Sequence, residues 1–346
     1  MTKPYLTCFP RFPWDITGKY PKDVDEGTKF TDYKMCMLDP YGFLFPYGNV
    51  KEKPIMYFRH GYFNEVRFNG FTNFGDTPLS PQSPGIFHNS VAQKNATVTK
   101  PYEKISENPL EYIIETDNLH SEIHLFEDMC KVKEGQILDL TAKPIPITIF
   151  DHGGTFADAV VMNQPCIFSG YFNGIPVIGM GNYDRTYVPE TLTKNVNDDA
   201  AYIYIAGDGI RQDGRIESYL VIINFESDMF ETTVLGLYWL EGEDPIIVND
   251  ASIEGDWYRL PYVDDGTIIF KDAVFHIGNK RINFTAKWGS KGFTEKPRIE
   301  RHGQAQVFGT FYEGDEPYEH ELFYTFNETL SIYDRTLEKH GYRIRS

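Results

Sequence analysis

The chain has 346 residues, of which 41% are hydrophobic and 15% aromatic, and its formal net charge is −17 at pH 7. This length exceeds the usual size of a single core, so the sequence predicts two domains or one large two-lobed structure. The negative charge argues against a nucleic-acid partner or an anionic membrane surface, since both are bound through clustered Lys and Arg.

Neither a signal peptide nor a membrane span is predicted. The first residues lack the apolar segment of a signal peptide, and no run of about 18 apolar residues occurs, so we expect no integral membrane segment. The four cysteines, Cys8, Cys36, Cys130 and Cys166, form no CxxC pair and have no zinc-ligand spacing. They predict free thiols in a reducing compartment, and hence a cytoplasmic protein.

The first part of the chain reads as an irregular arm followed by strands. Residues 1–54 are rich in Pro, Tyr and Gly and predict an N-terminal arm with a short strand near Tyr33–Leu38. Residues 73–90 hold three prolines and predict a long loop that could cover a cavity. Short runs of β-branched and aromatic residues predict further strands at Ile55–His60, Tyr62–Phe68, Thr97–Lys100, Leu110–Thr116, Ser121–Phe126 and Gln136–Thr141.

The middle of the chain predicts a β-hairpin. Its strands are Cys166–Phe172 and Ile175–Met180, and they flank an Asn173-Gly174 turn. Asn-Gly between two apolar runs is a strong hairpin signal, because both central residues of a type I′ turn need positive φ. The hairpin ends in a polar segment at residues 182–185, where we expect a polar group to face an apolar cavity.

The second half predicts more strands and one helix. The strands are Ala200–Ala206, Ile216–Asn224, Thr232–Trp239, Ile246–Val248, Gly266–Lys271, Ala273–Ile277, Arg281–Trp288 and Gln304–Tyr312. Leu330–His340 has helical spacing and a following glycine, which predicts a short C-terminal helix. Many strands and one helix indicate an all-β, antiparallel sandwich or barrel protein. We place the domain boundary between residues 164 and 165, which gives domains 1–164 and 165–346.

Two segments, DLTAKPIPITIFDHGG at residues 139–154 and FSGYFNGIPVIGMGNYDRTY at residues 168–187, resemble the tandem-lipocalin family. That family includes carotenoid hydratase-like and AttH-like proteins and, more distantly, tocopherol cyclase and Diels–Alderase-like proteins. Tyr183 stands where such proteins often carry Trp. The matching positions are Asp139, Leu140, Thr141, Gly153, Gly154, Gly179, Gly181, Asp184 and Arg185.

The resemblance implies a fold and a chemistry. The fold would be two lipocalin-like antiparallel β-barrel or sandwich domains in tandem. The chemistry would be hydration, cyclisation or isomerisation of a small lipophilic molecule, isoprenoid or polyketide-like, without a metal or other cofactor. Because lipocalin-like shells host unrelated tasks, the fold is the firmer inference from the resemblance.

Four residues are candidate catalytic groups. Protonation of an alkene needs an acid in a dry pocket, and a buried carboxyl such as Asp184, with Arg185 and Tyr183 beside it, would suit this task. The alternative is that these are ordinary strand-end residues. His152 is the fourth candidate, as an acid or base near neutral pH, and its alternative is a solvent-facing turn residue.

Four further residues are candidates for substrate binding. His88 lies in the Pro-rich segment and would reach a cavity from a lid, unless it is a surface residue. Tyr238, Trp239 and Trp257 would form aromatic walls that stabilise a carbocation through their π faces, or they are plain core. No metal site is predicted, because His120 and His124 on a strand lie about 13 Å apart. The cluster Glu319-His320-Glu321 is predicted to be solvated.

Three functions remain open from the sequence. The first is a lyase or isomerase acting on a lipophilic molecule, and the second is a non-catalytic carrier or sensor of such a molecule. The third is a carbohydrate-active β protein, which would show a facing pair of carboxylates in an open groove. We also list a homodimer as an expectation.

Overall fold

A computed structural model describes residues 3–9, 33–48, 54–63, 66–73, 88–91, 95–107, 110–116, 121–125, 129–153, 159–189, 202–225, 232–259, 268–291, 305–330 and 344–345. Within these ranges the regular structure consists of 23 strands and no helix. Among the described residues, no helix has the length and hydropathy needed to cross a membrane. The all-β prediction is confirmed.

The first thirteen strands form one sheet. They are β1 (Tyr5–Phe9), β2 (Tyr33–Pro46), β3 (Met56–Phe63), β4 (Val66–Asn73), β5 (His88–Val91), β6 (Asn95–Glu107), β7 (Leu110–Thr116), β8 (Ser121–Leu125), β9 (Cys130–Glu134), β10 (Leu138–Pro144), β11 (Thr148–His152), β12 (Val160–Phe172) and β13 (Ile175–Pro189). Most lie side by side in the order β7-β6-β4-β3-β2-β13-β12-β10-β9-β8. The two end strands, β7 and β8, also lie close to each other.

The remaining strands form a second sheet. They are β14 (Tyr202–Ile210), β15 (Ile216–Asn224), β16 (Thr233–Leu240), β17 (Ile246–Val248), β18 (Ser252–Arg259), β19 (Ile268–Ile277), β20 (Lys280–Lys291), β21 (Ala305–Glu313), β22 (Leu322–Leu330) and β23 (Ile344–Arg345). Their order is β17-β16-β15-β14-β22-β21-β20-β19-β18-β23. Among the described strand pairs of both sheets, β18 with β23 is parallel and the others are antiparallel.

Alternation along the strands gives each sheet two buried faces. One face of each sheet lines that sheet's own core, and the other face packs against the opposite sheet. The shared core is rich in aromatic rings. The ring centroid of Phe43 on β2 lies 4.9 Å from that of Tyr324 on β22 and 5.3 Å from that of Phe308 on β21. The ring of Tyr41 lies 4.9 Å from that of Phe326.

The central hairpin is confirmed, and it is longer than predicted. Asn173 and Gly174 have φ values of 47° and 74°, as a type I′ turn requires. β13 continues to Pro189 because it pairs with β12 on one side and with β2 on the other. The polar residues 182–185 are therefore inside the strand, whereas we expected them to follow it.

Several predicted elements are corrected by long-range pairing. The N-terminal arm contains β1 and the long strand β2, and neither is irregular where it is described. β3 runs through Gly61, which separates the predicted strands Ile55–His60 and Tyr62–Phe68. β19 is one strand where we expected two. Strands β9, β11, β18 and β22 were not predicted.

The structure covers three other predictions only in part. Of the predicted loop at 73–90, residues 88–90 belong to β5, and residues 74–87 lie outside the described residues. Leu330 of the predicted helix ends β22, and the rest of that helix also lies outside them. The predicted domain boundary falls within β12, while the chain passes between the sheets after Pro189. The division into two domains stays a prediction.

Candidate functional site

The three polar residues in the middle of β13 point to opposite sides of the first sheet. Successive side chains alternate along a strand, so Asp184 faces one way and Tyr183 and Arg185 face the other. The Tyr41 hydroxyl donates a 2.9 Å hydrogen bond to Asp184 Oδ2, and Tyr41 belongs to the core between the sheets. Tyr183 belongs to the core of the first sheet itself. The structure therefore does not bring the predicted trio together.

A second carboxyl, Asp208 on β14, lies in the space between the sheets. Ser218 stands directly opposite it on β15 and donates a 2.6 Å hydrogen bond to Asp208 Oδ1. From the first sheet, Asn182 Nδ2 donates to Asp208 Oδ2 over 3.4 Å. Asp208 is 1% exposed. We did not select Asp208 from the sequence, although an acidic residue within an apolar strand is a signal that could have found it, because such a group needs partners when buried.

The pKa values in this region reflect burial. Desolvation raises the pKa of Asp208 to about 7, against the opposing hydrogen bonds from Ser218 and Asn182. The pKa of Tyr204 is raised well above its ordinary value, first by burial and then by the charge of Asp184. At neutral pH the Asp208 carboxyl is thus protonated in a large fraction of molecules, while Tyr204 stays neutral.

A small cavity adjoins Asp208 between the two sheets. It has room for about one water molecule. Its apolar lining comes from Ile149, Ala206 and Leu220, and its polar lining is contributed by both sheets. The polar side chains are Asn163, Asn182, Tyr204, Asp208 and Ser218, whereas the ring of the neighbouring Tyr219 packs in the core of the second sheet.

Two of the polar atoms on this lining have no hydrogen-bond partner among the described residues. They are Asn163 Nδ2 and Asn182 Oδ1, and each of these residues is 2% exposed. The other end of the Asn163 amide is satisfied, since its Oδ1 accepts a hydrogen bond from the Tyr204 hydroxyl. Buried polar groups are nearly always paired with protein or water, so these two atoms mark a place that accepts a polar group or a water molecule.

Arg185 lies on the opposite face of β13, within the core of the first sheet. Its Nε donates to the Tyr183 hydroxyl over 3.0 Å, and its Nη1 donates to the Tyr187 hydroxyl over 3.3 Å. The guanidinium carbon lies 5.3 Å from the centroid of the Tyr183 ring, a cation–π distance. Arg185 is 1% exposed, so its guanidinium and the two tyrosine hydroxyls form a buried polar group within the core of the first sheet.

His152 also lies on that face, at the end of β11. Its register partners are Tyr5 on β1 and Val160 on β12. The imidazole stacks on the Tyr5 ring at 4.3 Å, and its Nε2 lies 3.0 Å from Thr7 Oγ1. His152 is buried, so the solvent-facing alternative is wrong. Because it shares the face of Tyr187, it points away from the Asp184 side of the sheet.

The three aromatic residues predicted to line the ligand cavity also lie in two different cores. Trp239 lies in the core between the sheets, whereas Tyr238 and Trp257 lie in the core of the second sheet. The Tyr238 hydroxyl donates a 3.0 Å hydrogen bond to Glu217 Oε2 and is thereby engaged in a polar cluster. For His88 the structure describes the backbone position only, at the start of β5 opposite Asn73.

The polar cluster around Glu217 was not foreseen. Glu217 is 0% exposed and accepts hydrogen bonds from Tyr238, from Tyr318 at 2.7 Å, and from His320. Arg211 Nε lies 3.5 Å from its carboxylate. The predicted solvated cluster at 319–321 is therefore wrong for His320, whose side chain is 3% exposed, because pairing with Glu217 draws it inward.

In the part of the chain that the structure describes, no group of three or more His, Cys, Asp or Glu side chains is placed to hold a metal ion. His124 lies on a strand, as expected, and His120 lies outside the described residues. Cys8, Cys130 and Cys166 are free thiols, and burial raises the pKa of all three, to about 11 for Cys8. Burial therefore leaves these thiols protonated at neutral pH.

Comparison with known proteins finds similarity in structure alone. No protein-family model matches the chain, and no curated protein matches its sequence. The crystal structure of an AttH-like protein from Nitrosomonas europaea is similar with a TM-score of 0.50 and 13% identity, over 92% of this chain and 99% of that one. Kievitone hydratase from Nectria haematococca gives a TM-score of 0.45 and 8% identity, over 93% and 98% of the two chains. CghA gives a TM-score of 0.46 and 12% identity, over 94% and 98%.

At such identities the similarity concerns the fold. The AttH-like structure aligns along nearly the whole of both chains, so the likeness includes both sheets and is not limited to the two motifs. This confirms the resemblance inferred from residues 139–154 and 168–187: the chain has the all-β fold of the tandem-lipocalin, AttH-like proteins.

Proposed function

We propose that this protein is an enzyme that hydrates, cyclises or isomerises a small lipophilic molecule, isoprenoid or polyketide-like, by acid–base chemistry that needs no cofactor. The observation that carries the proposal is the placement of Asp208. It is a buried carboxyl on a cavity between two sheets, and the surrounding interface is otherwise mostly apolar and aromatic. Such a site is suited to proton transfer to carbon, because water does not compete for the proton there.

Asp208 acts as the acid and Asp184 as its electrostatic partner in this proposal. A carboxyl with a pKa of about 7 keeps its proton in a large fraction of molecules at neutral pH and is still a useful donor. A proton added to an alkene leaves a carbocation, which negative charge and aromatic faces stabilise. Asp184 and the rings of Tyr41 and Tyr204 lie on this side of the first sheet and at its contact with the second.

The catalytic and binding roles assigned from the sequence are revised accordingly. We keep Asp184 at the site and Trp239 in the wall of the interface. Arg185, Tyr183 and His152 share the opposite face of the first sheet, and we propose that they hold β11 and β13 in place without touching the ligand. The proposal assigns no ligand contact to Tyr238 and Trp257, which lie within the second sheet.

Binding of a lipophilic molecule requires the interface to open. The cavity holds about one water molecule, and aromatic rings fill the neighbouring space. The ligand therefore displaces rings such as those of Tyr41 and Phe326 as it enters between β2 and β22. Burial of Trp239 and Trp257 disfavours a carbohydrate site, which would present tryptophan on an open groove.

The test uses deuterium oxide. Hydration, cyclisation and isomerisation that begin with proton transfer all create one C–D bond in that solvent, and mass spectrometry detects the bond. The purified protein is incubated with a panel of prenylated aromatic compounds and linear polyprenols. We expect deuterium in product, and in Asp208→Asn a loss of at least about a hundredfold, typical of a missing general acid.

One control variant and one binding measurement separate loss of the acid from loss of binding. Asp272→Asn removes an exposed carboxyl on β19 and should leave turnover unchanged. Quenching of tryptophan fluorescence reports binding of each compound, and Asp208→Asn should retain it. Binding without deuterium transfer in the unaltered protein would instead indicate a carrier or sensor, and full turnover in Asp208→Asn would refute the role of Asp208.

A further inference from the structure

Two asparagines beside Asp208 each offer one unused polar atom to the same cavity. Asn163 Oδ1 accepts a hydrogen bond from the Tyr204 hydroxyl, which leaves Asn163 Nδ2 as a donor without a partner in the described part of the chain. Asn182 Nδ2 donates to Asp208 Oδ2, which leaves Asn182 Oδ1 as an acceptor without one there. Because the protein fixes one end of each amide, the cavity presents one donor and one acceptor.

The two amides are close enough to serve a single ligand atom. On the ladder between β12 and β13, Asn163 stands opposite Asp184. Asn182 lies two residues before Asp184 on β13, so the two asparagines are diagonal neighbours on one face of the first sheet. Cα atoms in this relation lie about 7–8 Å apart, and both side chains line the cavity. One oxygen between them can therefore accept from one amide and donate to the other.

We infer that this pair of amides anchors a hydroxyl group of the lipophilic ligand, so that the substrate is a hydroxylated molecule and not a plain hydrocarbon. The inference rests on the proposed function and names the substrate class of the same site. It makes Asn163 and Asn182 specificity-determining residues, and it places the anchored end of the ligand next to Asp208.

The cavity favours a hydroxyl over other polar groups. It has room for about one water molecule, which matches a hydroxyl oxygen and is too small for a carboxamide. A carboxylate would bring negative charge beside Asp208, and an ammonium group would leave Asn163 Nδ2 unpaired. A carbonyl oxygen accepts from Asn163 but has no proton to donate to Asn182. Of these groups, the hydroxyl alone fits the space and satisfies both amides.

The test compares three probes that share one prenyl chain. They are farnesol, its aldehyde, and the hydrocarbon in which a methyl group replaces the hydroxyl. The alcohol can pair with both amides, the aldehyde with Asn163 alone, and the hydrocarbon with neither. A buried polar group left unpaired weakens binding by about tenfold, so farnesol should bind about tenfold more tightly than the aldehyde and about a hundredfold more tightly than the hydrocarbon. Quenching of tryptophan fluorescence measures these affinities without turnover.

Two variants assign the preference to its residues. Asn182→Leu removes the acceptor, so the preference for the alcohol over the aldehyde should disappear. Asn163→Leu removes the donor, so the preference for the aldehyde over the hydrocarbon should disappear. Ratios of affinities within one variant cancel the loss of its bond to Asp208 or Tyr204, which affects the three probes alike. Thr186→Val removes a buried hydroxyl from the same face of β13, outside the cavity lining, and should keep both ratios.

A crystal structure of the unaltered protein with farnesol gives a test that does not depend on the folding of either variant. The hydroxyl oxygen should lie within hydrogen-bonding distance of Asn163 Nδ2 and Asn182 Oδ1. A hydroxyl bound elsewhere overturns the inference, and so do equal affinities of the three probes. A preference for farnesol that persists in both variants also overturns it, because another group would then recognise the hydroxyl.

Failure of the anchor and failure of the proposed function are separable. If none of the three probes binds, the anchor is overturned, and deuterium transfer to the other compounds of the panel decides the function independently. If farnesol is preferred as expected but no compound acquires a C–D bond, the anchor stands and the protein is a carrier or sensor of hydroxylated ligands.

Discussion

Burial and hydrogen bonding shift the pKa of the Asp208 carboxyl in opposite directions. Burial favours its neutral form, and the hydrogen bonds from Ser218 and Asn182 favour the charged form, with burial prevailing. The charge of Asp208 also acts on Tyr204, Tyr219 and Cys166, and because burial raises the pKa values of all three, they remain neutral near pH 7. The ionisation of Asp208 can therefore be followed with little interference from these neighbours.

The first prediction concerns the pH dependence of stability at Asp208. The folded state holds the proton up to about pH 7, whereas the unfolded chain releases it near the ordinary value of 3.8. Stability from this group is thus complete below about pH 4 and is lost as pH rises to 7, by about 4 kcal/mol for a shift of about three units. Asn cannot ionise, so the variant does not lose this stability. As pH rises from about 4 to 7, the free energy of unfolding of Asp208→Asn should therefore increase relative to that of the unaltered protein. Urea denaturation at several pH values measures it.

The control for that prediction is Asp272→Asn, at an exposed position of the second sheet. Its unfolding free energy should run parallel to that of the unaltered protein at every pH. Parallel curves for Asp208→Asn as well would mean that Asp208 ionises in the folded state at its ordinary pKa.

The second prediction concerns the buried carboxylate of Glu217. Burial opposes its ionisation, but the hydrogen bond and charge of His320, together with Tyr318 and Arg211, keep the pKa of Glu217 below its usual value. Glu217→Gln leaves this set of donors without a negative partner and should lower the free energy of unfolding by about 3 kcal/mol or more. Chemical denaturation at neutral pH checks this.

A surface pair offers the matched comparison. Glu243 lies 3.4 Å from Arg215, and its side chain is 50% exposed. Glu243→Gln should cost less than about 1 kcal/mol, because solvent screens exposed ion pairs. Equal losses for the two variants would show that the Glu217 cluster adds nothing beyond a surface contact.

At the scale of elements, β13 decides how the site is built. It is the strand that pairs with β2 and β12 and also contacts β22 and β14 of the other sheet. Its alternate side chains supply Asn182 and Asp184 to the interface, and Tyr183 and Arg185 to the core of the first sheet. One strand thus serves the candidate site and the sheet core at the same time.

The third prediction compares two glycines of β13 and its turn. A Cβ at Gly179 would overlap the backbone carbonyl of Phe43 on β2, whereas a Cβ at Gly174 meets nothing within 4 Å but must adopt a φ of +74°. Gly174→Ala should therefore cost about 1–2 kcal/mol of unfolding free energy through backbone strain alone. Gly179→Ala should cost about 3 kcal/mol or more, because the pairing of β13 with β2 must yield. Urea denaturation of both variants ranks them, and the reverse ranking would contradict the close approach of these strands.

For the whole molecule, the shared core is the feature that joins the two sheets. Residues of β1, β2 and β13 from the first sheet and of β14, β16, β21 and β22 from the second belong to one buried cluster. Such a core couples the unfolding of the sheets, and it also means that a ligand entering between them perturbs both.

The fourth prediction tests this coupling. Phe43 is 0% exposed and packs on Phe308 and Tyr324 across the interface. Phe43→Ala should lower the free energy of unfolding by about 3–5 kcal/mol and should separate one thermal transition into two, measured by calorimetry. Tyr47→Ala, at a residue that is 71% exposed, should leave the single transition in place. Two transitions in the unaltered protein would indicate sheets that unfold independently.

Much of the fold could be predicted because its signals are local. The Asn173-Gly174 turn and the strand predicted at Gln136–Thr141 depend on neighbours in sequence, and the structure has both the turn and a strand there, β10. Strands such as β11 and β22 were missed because their identity depends on distant partners. His152, for example, is held by Tyr5 and Thr7 on β1, and nothing near His152 in the sequence indicates this.

The sequence by itself determined the all-β class, the central hairpin and the presence of acidic groups in apolar strands. Only the tertiary structure decided which of those groups meet, because Asp208 and Asn182 lie on different sheets, and Asp184 and Arg185 differ by one position and hence by a face. Turns and alternation are short-range consequences of backbone sterics. The pKa of a carboxyl and the contents of a cavity depend on which distant strands enclose them.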